Sequence, residues 1–174
     1  MAKTRRMITE SLSQVDIVIE LLDARIPKSS KNPEIDKLTA NKPRLVLLTK
    51  AALADPVATR RWVEYYSEKS SHKCLAIDTL SGEGIKQISP TIREILKEKL
   101  ERYAAKGMIG KQIRAMVVGI PNVGKSSLIN KLCHDEGDDY LKQYLHSHIH
   151  HRKKGRFFVF THRPCNFFQH NSPP

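Results

Sequence analysis

Cysteine is scarce in this 174-residue chain: Cys74, Cys133 and Cys165 are the only three, and they form no C-x-x-C pair and no even framework. They read as reduced thiols of a cytosolic protein. Long apolar runs are missing as well. None approaches the roughly 20 residues that a membrane helix needs. The basic start at Lys3, Arg5 and Arg6 is not followed by the apolar stretch of a secretion signal. There is no internal repeat. Acidic residues are outnumbered, 18 Asp and Glu against 30 Lys and Arg, which leaves a formal charge of +12. Such an excess points to an anionic partner, with nucleic acid as the first candidate. What remains after these exclusions is a soluble, intracellular, non-membrane protein, expected in the cytoplasm, with enough chain for one domain and a real core.

Against that background one segment stands out. Gly119-Ile-Pro-Asn-Val-Gly-Lys125-Ser126 matches G-x-x-x-x-G-K-[ST], the phosphate-binding loop. Met116-Val117-Val118 before it reads as a buried strand, and residues 127–132 after it as a helix. In that context backbone N–H groups around Gly124 and the positive helix end can hold phosphate oxygens. Lys125 would reach the β- and γ-phosphates, and Ser126 would place its hydroxyl on magnesium. The bland alternative is a glycine-containing turn that binds nothing.

Further patterning predicts an α/β fold. Residues 3–14 carry Met7, Ile8, Leu12 and Val15 at near-helical spacing, which predicts a short basic helix. Strands are expected over 15–22, 44–49, 74–78 and 115–119. Residues 26–33 read as a polar loop, and a helix holding Leu38 ends near Asn41. Asp55 and Pro56 form an N-cap and first position for a helix through Trp62 and Tyr66. Residues 81–84 read as a turn, about 88–104 as one long charged helix, and 107–111 as a linker. Strands alternating with helices imply a doubly wound parallel sheet with right-handed crossovers. Trp62 and Tyr66 read as core rather than base-stacking platforms, and Leu96, Leu100 and Tyr103 as a core stripe. The chain divides into two regions of different character: residues 1–132, and a tail over 133–174 that holds all five phenylalanines and seven of eight histidines. The tail reads as poorly ordered. Its His146, His148, His150 and His151 alternate as metal ligands could, yet no cysteine or carboxylate lies at a familiar ligand spacing, so an accidental basic tail is the simpler reading.

Two segments upstream of the phosphate loop look base-reading. Thr49-Lys50-Ala51-Ala52 ends an apolar strand, the place for an [NT]-K-x-D motif whose lysine stem covers a base and whose aspartate accepts from guanine. Asp78-Thr79-Leu80 ends the next strand, where a backbone N–H meets the base oxygen. Base-reading segments ahead of the phosphate loop imply a circular permutation.

Together with Leu22-Asp-Ala-Arg-Ile-Pro27, Ser29-Ser-Lys-Asn-Pro33, Asn41-Lys-Pro-Arg44, Ser81-Gly-Glu-Gly84 and Leu128-Ile-Asn130, these segments resemble the circularly permuted GTPases of the ribosome biogenesis GTPase A family. The resemblance covers residue 1 to about 132. It implies GTP or GDP as ligand with Mg2+, slow hydrolysis, and the large ribosomal subunit or its rRNA as partner. Base contacts would fall on Thr49, Lys50, Ala51 and Ala52, with Asp78 and Thr79 beside the ring. Phosphate contacts would fall on Asn122, Val123, Gly124, Lys125, Ser126 and Ser127, and Asn122 would help hold K+. Asp23 and Arg25 would be structural neighbours of the site.

The chain departs from the family in three places. Ala52 replaces the base-reading aspartate, which predicts guanine affinity weakened by about 1.5–3 kcal/mol. No Asp-x-x-Gly occurs after the phosphate loop, and Thr161 is the sole threonine beyond it. The family's aromatic N-terminal start and its C-terminal helical domain are also not seen, which predicts a truncation or frameshift near Leu132–Cys133 and a P-loop GTPase domain incomplete on its C-terminal side. In the family the Asp-x-x-Gly strand flanks the phosphate-loop strand; Phe157–Phe160, the only β-prone run in the tail, is the expected substitute. Four functional readings stay open: an assembly GTPase, a nucleotide-binding remnant without turnover, a basic RNA-binding fragment with a vestigial loop, and an ATPase.

Overall fold

Ile17–Asp23 (β1), Arg44–Thr49 (β2), Lys73–Ala76 (β3) and Ala115–Gly119 (β4) lie parallel in one sheet. Phe158–Val159 (β5) runs antiparallel along the free side of β4, giving the order β3-β2-β1-β4-β5. The computed structural model describes residues 9, 10, 12–68, 72–108, 113–134 and 158–159. The expected partner for β4 is thus found within Phe157–Phe160, pairing Val117 with Phe158 and Met116 with Val159. Every residue of β1 and β2 is buried, the largely apolar runs Ile17–Asp23 and Arg44–Thr49 carrying Glu20, Asp23, Arg44 and Thr49 in with them, as in strands covered on both faces.

Alternation along β1 assigns each residue to a face. Ile17, Ile19 and Leu21 join Leu45, Leu47 and Val117 under two helices, Ile85–Ile95 (α4) and Lys125–His134 (α6), in one continuous cluster. On the opposite face Val18, Met116 and Val118 pack with Ile35 of the helix Pro33–Thr39 (α2). Leu22, Val46 and Leu48 pack there with Tyr66 of the helix Pro56–Glu68 (α3), and Trp62 lies against the same cluster. Tyr66 is core, as expected, whereas Trp62 is only half-buried against it and lines a cavity. Asp55 caps α3 by accepting the Ala58 N–H at 2.6 Å.

Several expectations need correction. The polar loop at 26–33 contains a helical turn, Pro27–Ser30 (α1): Pro27 opens it, and Ser30 Oγ ties it back by donating to the Pro27 carbonyl and accepting the Asp23 N–H. The single helix over 88–104 is two, α4 and Lys97–Ala105 (α5), beginning at Ile85 and bending at the buried Leu96. Gly84 permits that earlier start. Its φ is +74°, and a Cβ there would sit 2.4 Å from the Ala76 carbonyl oxygen. The helix after the phosphate loop starts at Lys125, two residues sooner than the apolar pattern implies. Strand β1 begins at Ile17 rather than Val15, and β3 runs Lys73–Ala76 rather than over 74–78. Of the basic N-terminal segment, Thr9, Glu10 and Leu12 are described and helical. Most of that segment, residues 109–112 of the linker, and the tail from 135 onward other than 158–159 lie outside the described residues.

Candidate nucleotide site

The loop from Gly119 to Gly124 leaves β4 at the carboxyl edge of the sheet, where ligands bind in open α/β folds. Gly119 is where the chain must pass close to β1. A Cβ there would lie 2.8 Å from the Leu21 carbonyl oxygen and 2.9 Å from Val123 Cγ1. Asn122 takes a left-handed φ of 59°, a conformation asparagine tolerates better than most residues. Val123 turns inward and is buried, while Gly124 faces Thr49. Lys125 is buried and curls over the loop, its Nζ donating to the carbonyl oxygens of Gly119 (3.0 Å) and Ile120 (2.6 Å). Ser126 and Ser127 are exposed in the first turn of α6, with the hydroxyls, N–H groups and helix end that an anion or its metal would meet.

Two residues of β2's end reach this loop across more than seventy positions of sequence. The Thr49 hydroxyl donates to the Val123 carbonyl at 2.7 Å, with the Leu22 carbonyl 3.1 Å away. Lys50 adopts a left-handed φ of 60°, which turns its side chain over the loop. Its Nζ donates to the Asn122 carbonyl at 3.0 Å and to Asp23 Oδ2 at 2.9 Å. Asp23 also accepts two bonds from the Arg25 guanidinium, at 2.9 and 2.8 Å, and the Arg25 N–H at 3.1 Å. The Arg25 guanidinium above all, then the Lys50 ammonium, hold the Asp23 carboxyl well below the usual carboxylate range. Asp23 is therefore an anion that fixes two cations beside the phosphate loop. The sequence placed Asp23 and Arg25 near the site but did not show this bridge; the signal was an acidic residue ending the strand next to β4.

Ala51 and Ala52 begin a short 3-10 turn, 51–53, that leans on the end of β3. The Ala51 N–H donates to the Ile77 carbonyl at 3.2 Å. Buried Asp78 accepts N–H bonds from Ser81 (2.8 Å) and Leu80 (2.9 Å). Those bonds, Ser81's foremost, with a further one from the Ala52 N–H, lower its pKa from the ordinary value. Asp78 is thus a loop fastener joining the 51–53 turn to the end of β3, and Thr79 sits next to it, half-buried in the same turn. Ala52 is exposed and presents only a methyl group. The structure brings Thr49, Lys50, Asn122 and Val123 into direct contact, and links Ala51 and Ala52 to the Ile77–Asp78 segment.

A family model described as a 50S ribosome-binding GTPase matches residues 114–151, a span that takes in β4, the phosphate loop and α6. Ribosome biogenesis GTPase A of Priestia megaterium is 56% identical over 133 residues, which is 76% of this chain and 46% of that protein. Most of the chain is homologous to ribosome biogenesis GTPase A. The protein of that name from Bacillus cereus is 51% identical over 132 residues, 76% of this chain and 44% of the relative. Mitochondrial ribosome-associated GTPase 1 of Mus musculus is 41% identical over 132 residues, 76% and 40% of the two chains. The chain spans less than half the length of these relatives. Among the described residues no three His, Cys, Asp or Glu side chains converge on a metal cage, and the histidine run of the tail lies outside them. No described helix is long and apolar enough to cross a membrane.

Proposed function

We propose that this chain forms the nucleotide-binding part of a GTPase that works in the cytoplasm on the large ribosomal subunit or its rRNA. One observation carries the reading: Thr49 and Lys50 are hydrogen-bonded to the carbonyls of Val123 and Asn122. A base-side segment and a phosphate loop held against each other in this way form two halves of one nucleotide cleft. The base would lie against Lys50, the 51–52 turn and the Asp78–Thr79 turn. The phosphates would lie over Gly124, Lys125, Ser126 and Ser127. Because the base-side segments precede the loop in sequence yet leave the same edge of one parallel sheet, ordered β3-β2-β1-β4, we read the domain as circularly permuted.

The exposed Ser126 hydroxyl beside Lys125 is a fit donor for magnesium, and the exposed Asn122 for potassium. Magnesium supplies charge neutralisation between phosphates. The chain's own part is to bind and orient: Lys125 places its cation at the loop, and Asp23 and Lys50 brace the loop's backbone. Substitution Lys125→Ala should abolish GDP binding in a fluorescent-nucleotide titration; unchanged affinity would overturn the reading. Ala52→Asp should tighten guanine nucleotides at least about tenfold, by about 1.5–3 kcal/mol, with little change for adenine nucleotides. Equal gains for GDP and ADP would mean that position 52 does not face the base.

A second reading, a nucleotide holder without turnover, is favoured by the lack of Asp-x-x-Gly after the loop. Pairing of β5 with β4 restores backbone bonds at the sheet edge but Phe158 and Val159 bring no aspartate for a metal and no glycine N–H for a γ-phosphate. Charge developing on the transferred phosphoryl group is then incompletely stabilised. Phosphate release by these 174 residues, with potassium, magnesium and large ribosomal subunits, should be far slower than that of a full-length relative. Matching rates would decide for the GTPase.

A further inference from the structure

A second cavity, of about 340 Å³, opens on the sheet face opposite α4 and α6, between α1 and α3 and over β2. Lys28, Lys31, Arg44, Trp62, Tyr65 and His72 line it. Its volume falls within the range of about 300–1,000 Å³ common to small-ligand sites. The walls combine three kinds of chemistry. Flat rings come from Trp62, stacked on Tyr66 at 5.7 Å and edge-on to Tyr65 at 5.4 Å. Positive charge comes from Lys28, exposed at the rim and in no ion pair with a described residue, and from Lys31, which is shared with Asp36 and the Tyr66 ring.

Polar atoms without partners supply the third. Arg44 is 3% exposed; its Nη1 bonds Glu20 at 2.9 Å and also Asp36, and its Nη2 bonds Thr39. Its Nε and the His72 Nδ1 are buried with no hydrogen-bond partner among the described residues. Burial, with Arg44 nearby, pushes the His72 imidazole below its ordinary pKa, which leaves Nδ1 able to accept or donate according to tautomer. Buried polar atoms of this kind are costly unless a ligand or water meets them. A base edge carries both donors and acceptors, a base face stacks on rings, and a phosphate pairs with lysine. The +12 charge of the chain favours a polyanion over a lone nucleotide.

We propose that this cavity is a second nucleotide-recognition site, which takes one base and its adjoining phosphate from single-stranded RNA. It lies on the sheet face opposite α6, and binding there is expected without an intact phosphate loop. Trp62, the only tryptophan, reports on it directly. The test is quenching of Trp62 fluorescence by hexaadenylate, with AMP in parallel, in the full chain and in Lys125→Ala. Quenching by hexaadenylate should persist in Lys125→Ala and weaken steadily as salt is raised, as phosphate contacts require. Lys28→Glu should weaken it about tenfold more than the charge-matched Lys106→Glu, whose site lies in the exposed turn after α5. Tyr65→Ala, which removes a half-exposed wall, should weaken it as well. A much weaker response to AMP than to hexaadenylate would support the assignment to RNA, and saturation by AMP at the same concentration would overturn it in favour of free nucleotides. Absence of quenching, its loss in Lys125→Ala, or equal effects of the Lys28 and Lys106 reversals would also overturn the proposal.

Discussion

The two faces of the sheet are built on different principles. Under α4 and α6 the core is one unbroken apolar cluster drawn from the strands and two helices. Across the sheet the apolar contacts fall into two smaller clusters, and between them stand Glu20 and Arg44, 1% and 3% exposed and ion-paired at 2.9 Å. Burial pushes the Glu20 carboxyl above its ordinary pKa in spite of Arg44 beside it. One face therefore gains its stability from burial alone. The other holds charges that need each other, and a cavity of about 340 Å³ opens on it. Apolar packing there gives way to groups able to recognise something.

Breaking the polar pair should be the costliest change. Arg44→Met leaves Glu20 buried without a partner and is expected to lose about 3–5 kcal/mol in urea denaturation, whereas Glu20→Leu with Arg44→Met, which makes this face resemble the other, should regain most of that. A double variant as unstable as the single one would show that the pair is not the reason the faces differ.

On the apolar face, Leu47→Ala removes a fully buried side chain from the middle of the cluster. The expected loss is roughly 2–5 kcal/mol, with no change in the Trp62 signal. A cost no greater than that of Val46→Ala, a smaller truncation on the other face, would show that burial is not what sets the apolar face apart.

The smallest effect concerns pH. His72 has a folded pKa below its ordinary 6.5, so between those values the unfolded chain binds a proton that the folded chain refuses. Stability is then fully present above about pH 6.5 and declines as pH falls through that window. His72→Gln should flatten this part of the profile relative to the unchanged chain. Parallel profiles would mean that His72 is not sheltered from water, and would weaken its place in the cavity.

Legibility in the sequence tracked the range of the interactions involved. Strand β4, the phosphate loop and the Asp55 cap were readable because each is specified locally, by an apolar run, two glycines or a capping side chain. The boundary at Leu96 and the turn at Pro27–Ser30 were not, since each depends on a contact made elsewhere: Leu96 turns into the core, and Ser30 is held by the Asp23 backbone. The same applies at the site. The residue types at 49, 50 and 119–126 marked candidate segments, but only folding showed that Lys50 reaches the Asn122 carbonyl and shares Asp23 with Arg25.

By itself the sequence determined the alternation of strand and helix, the phosphate-loop motif, an alanine at position 52 and the strong positive charge. These are properties of neighbouring residues and of sums over the chain. Tertiary structure decided the strand order, the reach of Lys50 to the phosphate loop, and the gathering of Lys28, Arg44, Trp62 and His72 around one cavity. Those depend on which segments lie side by side in space, and residues so far apart in sequence carry no local pattern that announces their meeting.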